Sequence, residues 1–312
     1  GQGNTPEYYY VRGLEDDILN PGNLMETSAV IKTFGPKMDG TLWYQYFNEE
    51  KGIGGTFDKD GKYHRVATPF VNYGDWFKNF FETGYSLNNT ITLSGRINPK
   101  NAIRISLTDN RSSGITPNTD RERQNLAMKM NNQFTDWFTS EVSLNYRRDF
   151  HGGIPTSSGA GVASVMNCLW FYSPSIDMEW SKIYWQPGKE GLQQEGKLVE
   201  GKNNVYFVVN ECLNTQDKYR FFGNAKLDFK LYKDLTLMVR SGFDTSNVFW
   251  ESRTANSAHG RYGGYMREQS IQTIQYTGDF LFRYQKRLPY DLHVSASLGG
   301  SMNYREYASR SQ

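Results

Sequence analysis

The sequence is short of cysteine, of long apolar runs and of any excess of one charge. No stretch approaches the roughly 18 apolar residues that a membrane-spanning helix needs. Mean hydropathy is −0.68, so we expect no helical membrane protein. The 35 Lys and Arg residues nearly balance the 33 Asp and Glu residues. This balance gives no indication of a nucleic-acid partner.

Catalytic motifs are also lacking. The four histidines, His64, His151, His259 and His293, are scattered, and the HExxH, GxSxG and GxxxxGK[ST] spacings do not occur. Residues 58–61 (DKDG) resemble the start of a calcium loop, but the later ligands of such a loop are missing, which favours a hairpin turn. We therefore predict a protein that is not an enzyme, with no cofactor and no metal site.

The two cysteines, Cys168 and Cys212, fall within one long irregular segment. They are either two unlinked small apolar side chains or a disulfide that closes the loop, which an oxidising compartment outside the cytoplasm permits. Spacing in the chain does not decide between these alternatives, because a disulfide requires that the two Cα atoms approach within about 7 Å.

Apolar and polar residues alternate with a period of two in four predicted hairpins. Their strands centre on residues 91–108, 126–146, 221–240 and 274–298, and their tight turns lie near residues 98–101, 135–136, 232–234 and 288–291. Alternation over about ten residues is typical of a tilted membrane strand, which needs apolar side chains on one face only. Aromatic residues, 15% of the chain, gather near both ends of these strands, as in the two girdles of a membrane barrel.

Short and long connections alternate strictly between the predicted strands. The long ones cover residues 109–121, about 150–217 and about 246–270. Outer-membrane barrels have short periplasmic turns and long extracellular loops, so the tight turns are predicted to face the periplasm. A soluble β-sandwich that binds carbohydrate also alternates, and it remains an alternative to the barrel.

Four motifs, in order along the first half of the chain, resemble the SusC/RagA-like family of TonB-linked outer-membrane transporters. They are residues 1–4 (GQGN) with 8–11 (YYYV), residues 34–40 (FGPKMDG), residues 80–84 (FFETG) with Asn89 and 93–95 (LSG), and residues 114–119 (GITPNT) with 123–126 (RQNL). Beyond residue 150 the resemblance is mainly one of pattern, including residues 220–223 (RFFG) at the entry to a strand.

The resemblance implies a barrel of about 22 strands with an N-terminal plug and a TonB box. The fold class expected here is all-β: about eight strands of a partial antiparallel transmembrane β-barrel, with long extracellular loops. Residues 1–86 form an extracellular loop region and residues 87–312 the hairpins, with residues 150–217 as the longest loop. No plug, signal peptide or closing C-terminal strand is visible, so we expect both ends to be cuts through a longer chain.

The function that the resemblance implies is TonB-dependent import of an oligomeric nutrient, glycan or peptide, across the bacterial outer membrane. The implied partners are outer-membrane lipid, TonB (through the N-terminal region), a SusD-like surface lipoprotein and the oligosaccharide or peptide ligand, with transporter–lipoprotein pairs assembled as a dimer. A passive porin-like barrel is the alternative within the membrane class, and a full gene without a plug or TonB box would favour it.

Two sets of residues are candidates for binding. Aromatic side chains in the longest loop either pack the loop or contact a substrate or partner through their amphipathic rings; they are Trp170, Phe171, Tyr172, Trp180, Tyr184 and Trp185. Charged side chains on the polar face of the strands are predicted to line the lumen; they are Arg96, Arg104, Lys129, Arg147, Lys226, Asp228, Arg240, Asp279 and Arg283.

Overall fold

The computed structural model describes a large sheet and parts of the segments around it. The described residues are 8–10, 14–16, 24–26, 32–43, 56–57, 63–64, 68–74, 76–155, 164–170, 177–185, 188–194 and 203–312. Short elements precede the sheet: β1 (Tyr8–Tyr10), β2 (Leu14–Asp16), β3 (Leu24–Glu26), β4 (Lys32–Lys37), β5 (Leu42–Trp43), β6 (Thr56–Phe57), β7 (Tyr63–His64), β8 (Thr68–Pro69) and α1 (Trp76–Phe80). Residues 58–61, where the sequence favours a turn, lie outside the described residues; β6 and β7 pair antiparallel.

Eight long strands form the sheet. They are β9 (Tyr85–Asn98), β10 (Asn101–Ser113), β11 (Asp120–Gln133), β12 (Phe138–Gly152), β13 (Asn214–Tyr232), β14 (Leu235–Thr254), β15 (Tyr265–Arg287) and β16 (His293–Ser311). Each strand pairs antiparallel with its neighbours in sequence, and β9 and β16 are the two edges. The four predicted hairpins are therefore confirmed. The β-sandwich alternative is wrong, because these strands form one continuous meander rather than two packed sheets.

The two faces of the sheet differ in chemistry. Directly paired residues of antiparallel strands point to the same face, so the register assigns every side chain to a face. One row joins Ile103, Met130, Val142, Ala225 and, at the far edge, Met302. We call the face with this row the outer face. The opposite, inner face carries polar and charged residues.

Aromatic rings flank the apolar band of the outer face. Near the tight turns Phe138 stacks on Phe229, with ring centroids 4.8 Å apart, and on Phe134 at 4.9 Å. Towards the long connections Phe221 contacts Phe243 at 4.9 Å. Trp250, which lies at the same end of the sheet, faces inward, because it pairs with Gln216 in the His151 row of the inner face.

The strands extend further than the apolar pattern indicated. The connection after β10 covers only residues 114–119 and the one after β14 only residues 255–264, whereas the expected loops were 109–121 and about 246–270. The cause is that backbone pairing continues where apolar alternation stops. On the outer face Arg148 pairs with Asp217 across β12 and β13 at 2.9 Å, and such ion pairs replace apolar contacts at the strand ends.

The longest connection runs between β12 and β13, and its described residues form three short helices: α2 (Val165–Trp170), α3 (Met178–Ser181) and α4 (Val205–Glu211). Their apolar side chains form one buried cluster, with Leu169, Val205 and Phe207 fully buried and Phe80 of α1 joining them. We call this cluster, together with α2, α3, α4 and the other described residues between β12 and β13, the cap. Among the described residues no helix is long and apolar enough to cross a membrane.

Both cysteines lie in the cap as buried thiols, Cys168 in α2 and Cys212 at the end of α4. The structure therefore contradicts the disulfide alternative. Burial raises the pKa of the Cys212 thiol to about 12, because the apolar surroundings disfavour the thiolate. A thiol held protonated in this way is a poor nucleophile and behaves as a small apolar side chain.

Two of the motifs that carry the family resemblance form specific turns. In the 34–40 motif Asp39 accepts a hydrogen bond from the Thr41 amide at 3.1 Å, and Gly40 takes a φ of +89° that favours glycine. In the 114–119 motif Asn118 has a φ of +60° and donates through its side-chain amide to the Val209 carbonyl of α4 at 2.9 Å. The second motif thus joins the sheet to the cap.

Candidate functional site

All nine predicted lumen residues lie on the inner face. Lys226, Arg240 and Asp279 share one cross-strand row with Arg96 of β9, through Ala102, Asn131 and Glu141. Arg104 and Lys129 share the next row. Arg147 lies nearer the long connections, and Asp228 and Arg283 nearer the tight turns. The alternation therefore predicted a real grouping of charges; that these residues line a lumen stays a prediction.

Cross-strand ion pairs hold part of this face together. Lys129 contacts Glu141 at 2.6 Å, and Arg240 contacts Asp279 at 2.9 Å. Lys226 pairs along its own strand with Asp228 at 3.0 Å. Within the part of the chain that the structure describes, Arg96, Arg104 and Arg283 form no ion pair, so their charges face the space in front of the sheet.

A depression of about 490 Å³ lies in front of β13 to β16. Gly242 forms part of its floor, and a Cβ there would approach the Thr277 hydroxyl to 2.8 Å. Amide and hydroxyl groups line it beside the Arg240–Asp279 pair, and the Gln275 amide donates to Asn303 at 3.3 Å. Such a surface offers both donors and acceptors to a polar, uncharged segment of a ligand.

A second group of charges, of which the sequence pattern named only Arg147, lies on the same face towards the long connections. Asp149 accepts two hydrogen bonds from Arg121, both at 2.9 Å, and one from Arg147 at 2.5 Å. Arg123 stands 3.3 Å from the same carboxylate. On β13 Arg220 forms a two-pronged pair with Asp244 of β14, and Lys218 lies opposite Asp149 in register. We call these seven residues the basic cluster.

The signal for the basic cluster was present in the sequence. Arg147, Asp149 and His151 continue the period of Ser143 and Asn145, so they belong to the polar face of the same strand. Arg147 was among the predicted lumen residues, but Asp149 and His151 lie beyond the last apolar residues of the alternation and were not included. Arg121 was assigned to the expected loop 109–121, and Lys218 lies just after the expected loop that ends at residue 217.

The candidate aromatic residues of the longest loop divide into two groups. Trp180, Tyr184 and Trp185 pack against the apolar cluster of the cap, and Trp185 meets Phe207 edge to face at 5.3 Å. Trp170 is 64% exposed on α2. Phe171 and Tyr172 lie outside the described residues. Packing thus accounts for three of the six, and contact with a substrate or partner stays a prediction, best supported for Trp170.

Tyr184 also has a polar role within the cap. Its hydroxyl donates to the Glu211 carboxylate at 3.1 Å. Burial and the negative charge of Glu211 raise the pKa of Tyr184 to about 12, because both disfavour the phenolate. The ring therefore fastens the segment after α3 to the end of α4.

A buried polar network closes the cap. Gln194 donates through its side-chain amide to Asn203 at 2.7 Å and to the Ser257 carbonyl at 2.5 Å. Asn204 accepts from the Tyr206 amide at 2.8 Å as the N-cap of α4, and it donates to the Ser181 carbonyl at 2.9 Å. The network joins residues that precede β13 to Ser257, which follows β14. These hydrogen bonds connect the cap to the sheet.

Neither a protein-family profile nor a curated protein matches this sequence. Several solved structures are similar to it, and three of them are of RagAB. The RagAB peptide transporter matches with a TM-score of 0.57 and 15% identity over 76% of this chain and 26% of the other chain. The sheet has the fold of part of that transporter. The RagAB peptide importer in its closed–closed and open–open states matches with a TM-score of 0.54 and 14% identity in each case.

These matches cover only part of each RagAB chain. This chain spans between a quarter and a third of the length of the RagAB chains, 26% in one structure and 30% in the two others. At such low identity the likeness establishes the fold alone. The expected fold class, an antiparallel sheet of the kind that forms part of a transporter barrel, is therefore confirmed.

Proposed function

We propose that this chain is part of the wall of a bacterial outer-membrane importer. The importer takes up an oligomeric nutrient, a peptide or a glycan, with energy from TonB and with a SusD-like lipoprotein as a lid at the cell surface. The observation that carries the proposal is the chemistry of the two faces: one sheet has an apolar outer face with aromatic rings near both limits and a charged inner face.

The length of the apolar band supports a membrane position. Along β12 the outer face is dominated by apolar and aromatic residues from Phe138 to Tyr146, and Arg148 follows. That length agrees with the about 9–11 residues that a tilted strand needs to cross the hydrocarbon core. The strands continue beyond the band towards the long connections, so that end, with the cap, faces the cell exterior.

Peptide is the better supported of the two cargoes. RagAB is a peptide transporter. Sugars are commonly held by stacking on aromatic rings; the inner face of β9 to β12 carries none, and that of β13 to β16 carries Phe222, Trp250 and Tyr307 among others. Amide and hydroxyl side chains line the depression in front of β13 to β16, and they suit the polar backbone of a peptide.

Uptake measurements in the native bacterium test the proposal. We expect deletion of the complete transporter gene to abolish growth on peptide as the only nitrogen source, and loss of TonB to have the same effect. Growth that survives the loss of TonB indicates the passive porin instead. A dependence on the gene for growth on glycan rather than on peptide would reassign the cargo and leave active import intact.

Purification in mild detergent tests the partners. We expect a SusD-like lipoprotein to co-purify with the complete transporter and the assembly to have the mass of two such pairs. A transporter that purifies without any lipoprotein would contradict the lid.

A further inference from the structure

The basic cluster has more positive than negative charge. Five cationic side chains, Arg121, Arg123, Arg147, Lys218 and Arg220, stand with only two carboxylates, those of Asp149 and Asp244. They occupy adjacent rows of β11, β12 and β13, so they form one patch of the inner face.

The arginines remain accessible although they are paired. The side chains of Arg121, Arg123, Arg147 and Arg220 are 41%, 34%, 32% and 36% exposed, whereas Asp149 is only 10% exposed. The carboxylate thus lies beneath the guanidinium groups and orients them. Each guanidinium has five N–H donors, and a shared carboxylate with few acceptor sites leaves donors available to another acceptor.

The patch lies at the level where the strands have left the apolar band. Arg148, between Arg147 and Asp149 in sequence, faces outward and pairs with Asp217, and Arg111 with Asp109 lies on the outer face at a similar level. Charged side chains on the outer face at this level indicate that it lies outside the hydrocarbon region of the membrane. The basic cluster is therefore at the mouth of the inner surface, next to the cap.

We propose that the basic cluster is a recognition site for carboxylate groups of the imported oligomer, so that the importer prefers acidic cargo. The inference rests on the proposed function and adds a substrate class to it. Bidentate arginine–carboxylate contacts are strong and directional, and a positive surface at a channel mouth raises the local concentration of anionic ligands.

Two substitutions test the site while keeping the hydrogen bonds that orient Asp149, although Arg123→Gln removes the 3.3 Å contact of Arg123 with that carboxylate. Arg123→Gln leaves Asp149 with its hydrogen bonds from Arg121 and Arg147, and Lys218→Gln removes a charge next to them. Arg111→Gln is the matched control, because it makes the same change at a similar level on the outer face.

Binding is measured on the complete transporter, purified from the outer membrane, with two heptapeptides. One alternates glycine with glutamate, and its twin has glutamine in place of each glutamate. We expect the wild type and the Arg111→Gln control to bind the glutamate peptide about tenfold more tightly than its twin at low salt. In the Arg123→Gln/Lys218→Gln variant this preference falls towards unity, and in the wild type it weakens as ionic strength rises.

Other outcomes overturn the inference. Equal affinity of the wild type for both peptides, or binding of neither, removes the preference for acidic cargo. A double variant that keeps the preference for the glutamate peptide shows that the basic cluster is not the recognition site, whatever its effect on thermal stability. The uptake assay decides the proposed function separately: TonB-dependent growth without acidic preference leaves import standing, and acidic preference without TonB-dependent growth leaves the site standing.

Discussion

Individual residues in the cap show why burial, rather than sequence spacing, decides their chemistry. Cys168 and Cys212 lie in the same buried cluster, yet they remain thiols. Tyr184 packs against that cluster while its hydroxyl reaches Glu211. Their positions in an irregular segment gave no indication of these surroundings.

Cys212 is expected to resist alkylation in the folded protein. Its pKa is raised from 9.0 to about 12 by burial. The folded state therefore keeps the proton that the unfolded chain loses, and the resulting stability is present below pH 9 and is lost as pH rises towards 12. Mass-spectrometric mapping after iodoacetamide treatment at pH 8 checks this. Equal labelling before and after denaturation would contradict it, as would a disulfide-linked peptide pair.

Asn204 is expected to stabilise the cap through two separate hydrogen bonds. Asn204→Ala loses both the N-cap acceptor and the donor to Ser181, at a cost of about 1–3 kcal/mol in local stability. Asn204→Ser keeps a cap acceptor without burying a charge and loses the amide donor to Ser181, so its effect should be smaller. Limited proteolysis of the cap measures both variants. If they are equally sensitive, the N-cap contributes little and the Ser181 contact dominates.

At the scale of the element, the faces of the strands could be predicted and their ends could not. In β12 the alternation assigns Val142 and Leu144 to one face and Ser143 and Asn145 to the other, and the register confirms this. The ends were wrong because pairing there depends on ion pairs between residues distant in sequence, such as Arg148 and Asp217.

The face assignment predicts a strong asymmetry between two substitutions in β12. Val142→Arg places a charge in the middle of the apolar band and should cost about 2–4 kcal/mol in barrel stability. Asn145→Arg, the matched control on the inner face beside Ala127 and Phe222, should be tolerated. Urea unfolding of the complete barrel in lipid vesicles compares the two. A similar loss for both would contradict the membrane position of the outer face.

At the scale of the whole molecule, the eight long strands form one open sheet with β9 and β16 as its edges, and an unpaired edge within lipid is costly. The inner face combines arginines near the tight turns that form no ion pair among the described residues, an amide-lined depression in the middle and the basic cluster near the cap. Under the proposed function, a ligand passing along this surface would meet each of them in turn.

Charge reversal near the tight turns is expected to lower uptake without preventing assembly. Arg96 and Arg104 carry no ion pair in the described part of the chain, so the double variant Arg96→Glu/Arg104→Glu breaks no ion pair there. We expect uptake to fall about tenfold at low ionic strength, since four units of negative charge are added to this part of the inner face. The amount of folded transporter in the outer membrane is the control. Unchanged uptake at an unchanged amount would argue against a lumen role for these residues.

The sequence by itself determined the strands, their faces and the alternation of short and long connections, because a period of two and a turn such as residues 98–101 are local properties of the chain. It also predicted the shared face of the nine lumen residues.

Only the tertiary structure decided which charges meet. Arg121 and Asp149 lie 28 positions apart, and Lys218 comes opposite Asp149 only after the whole cap has folded between β12 and β13. Register across long connections depends on packing and buried polar contacts, such as those of Gln194 and Asn204, which no local pattern encodes.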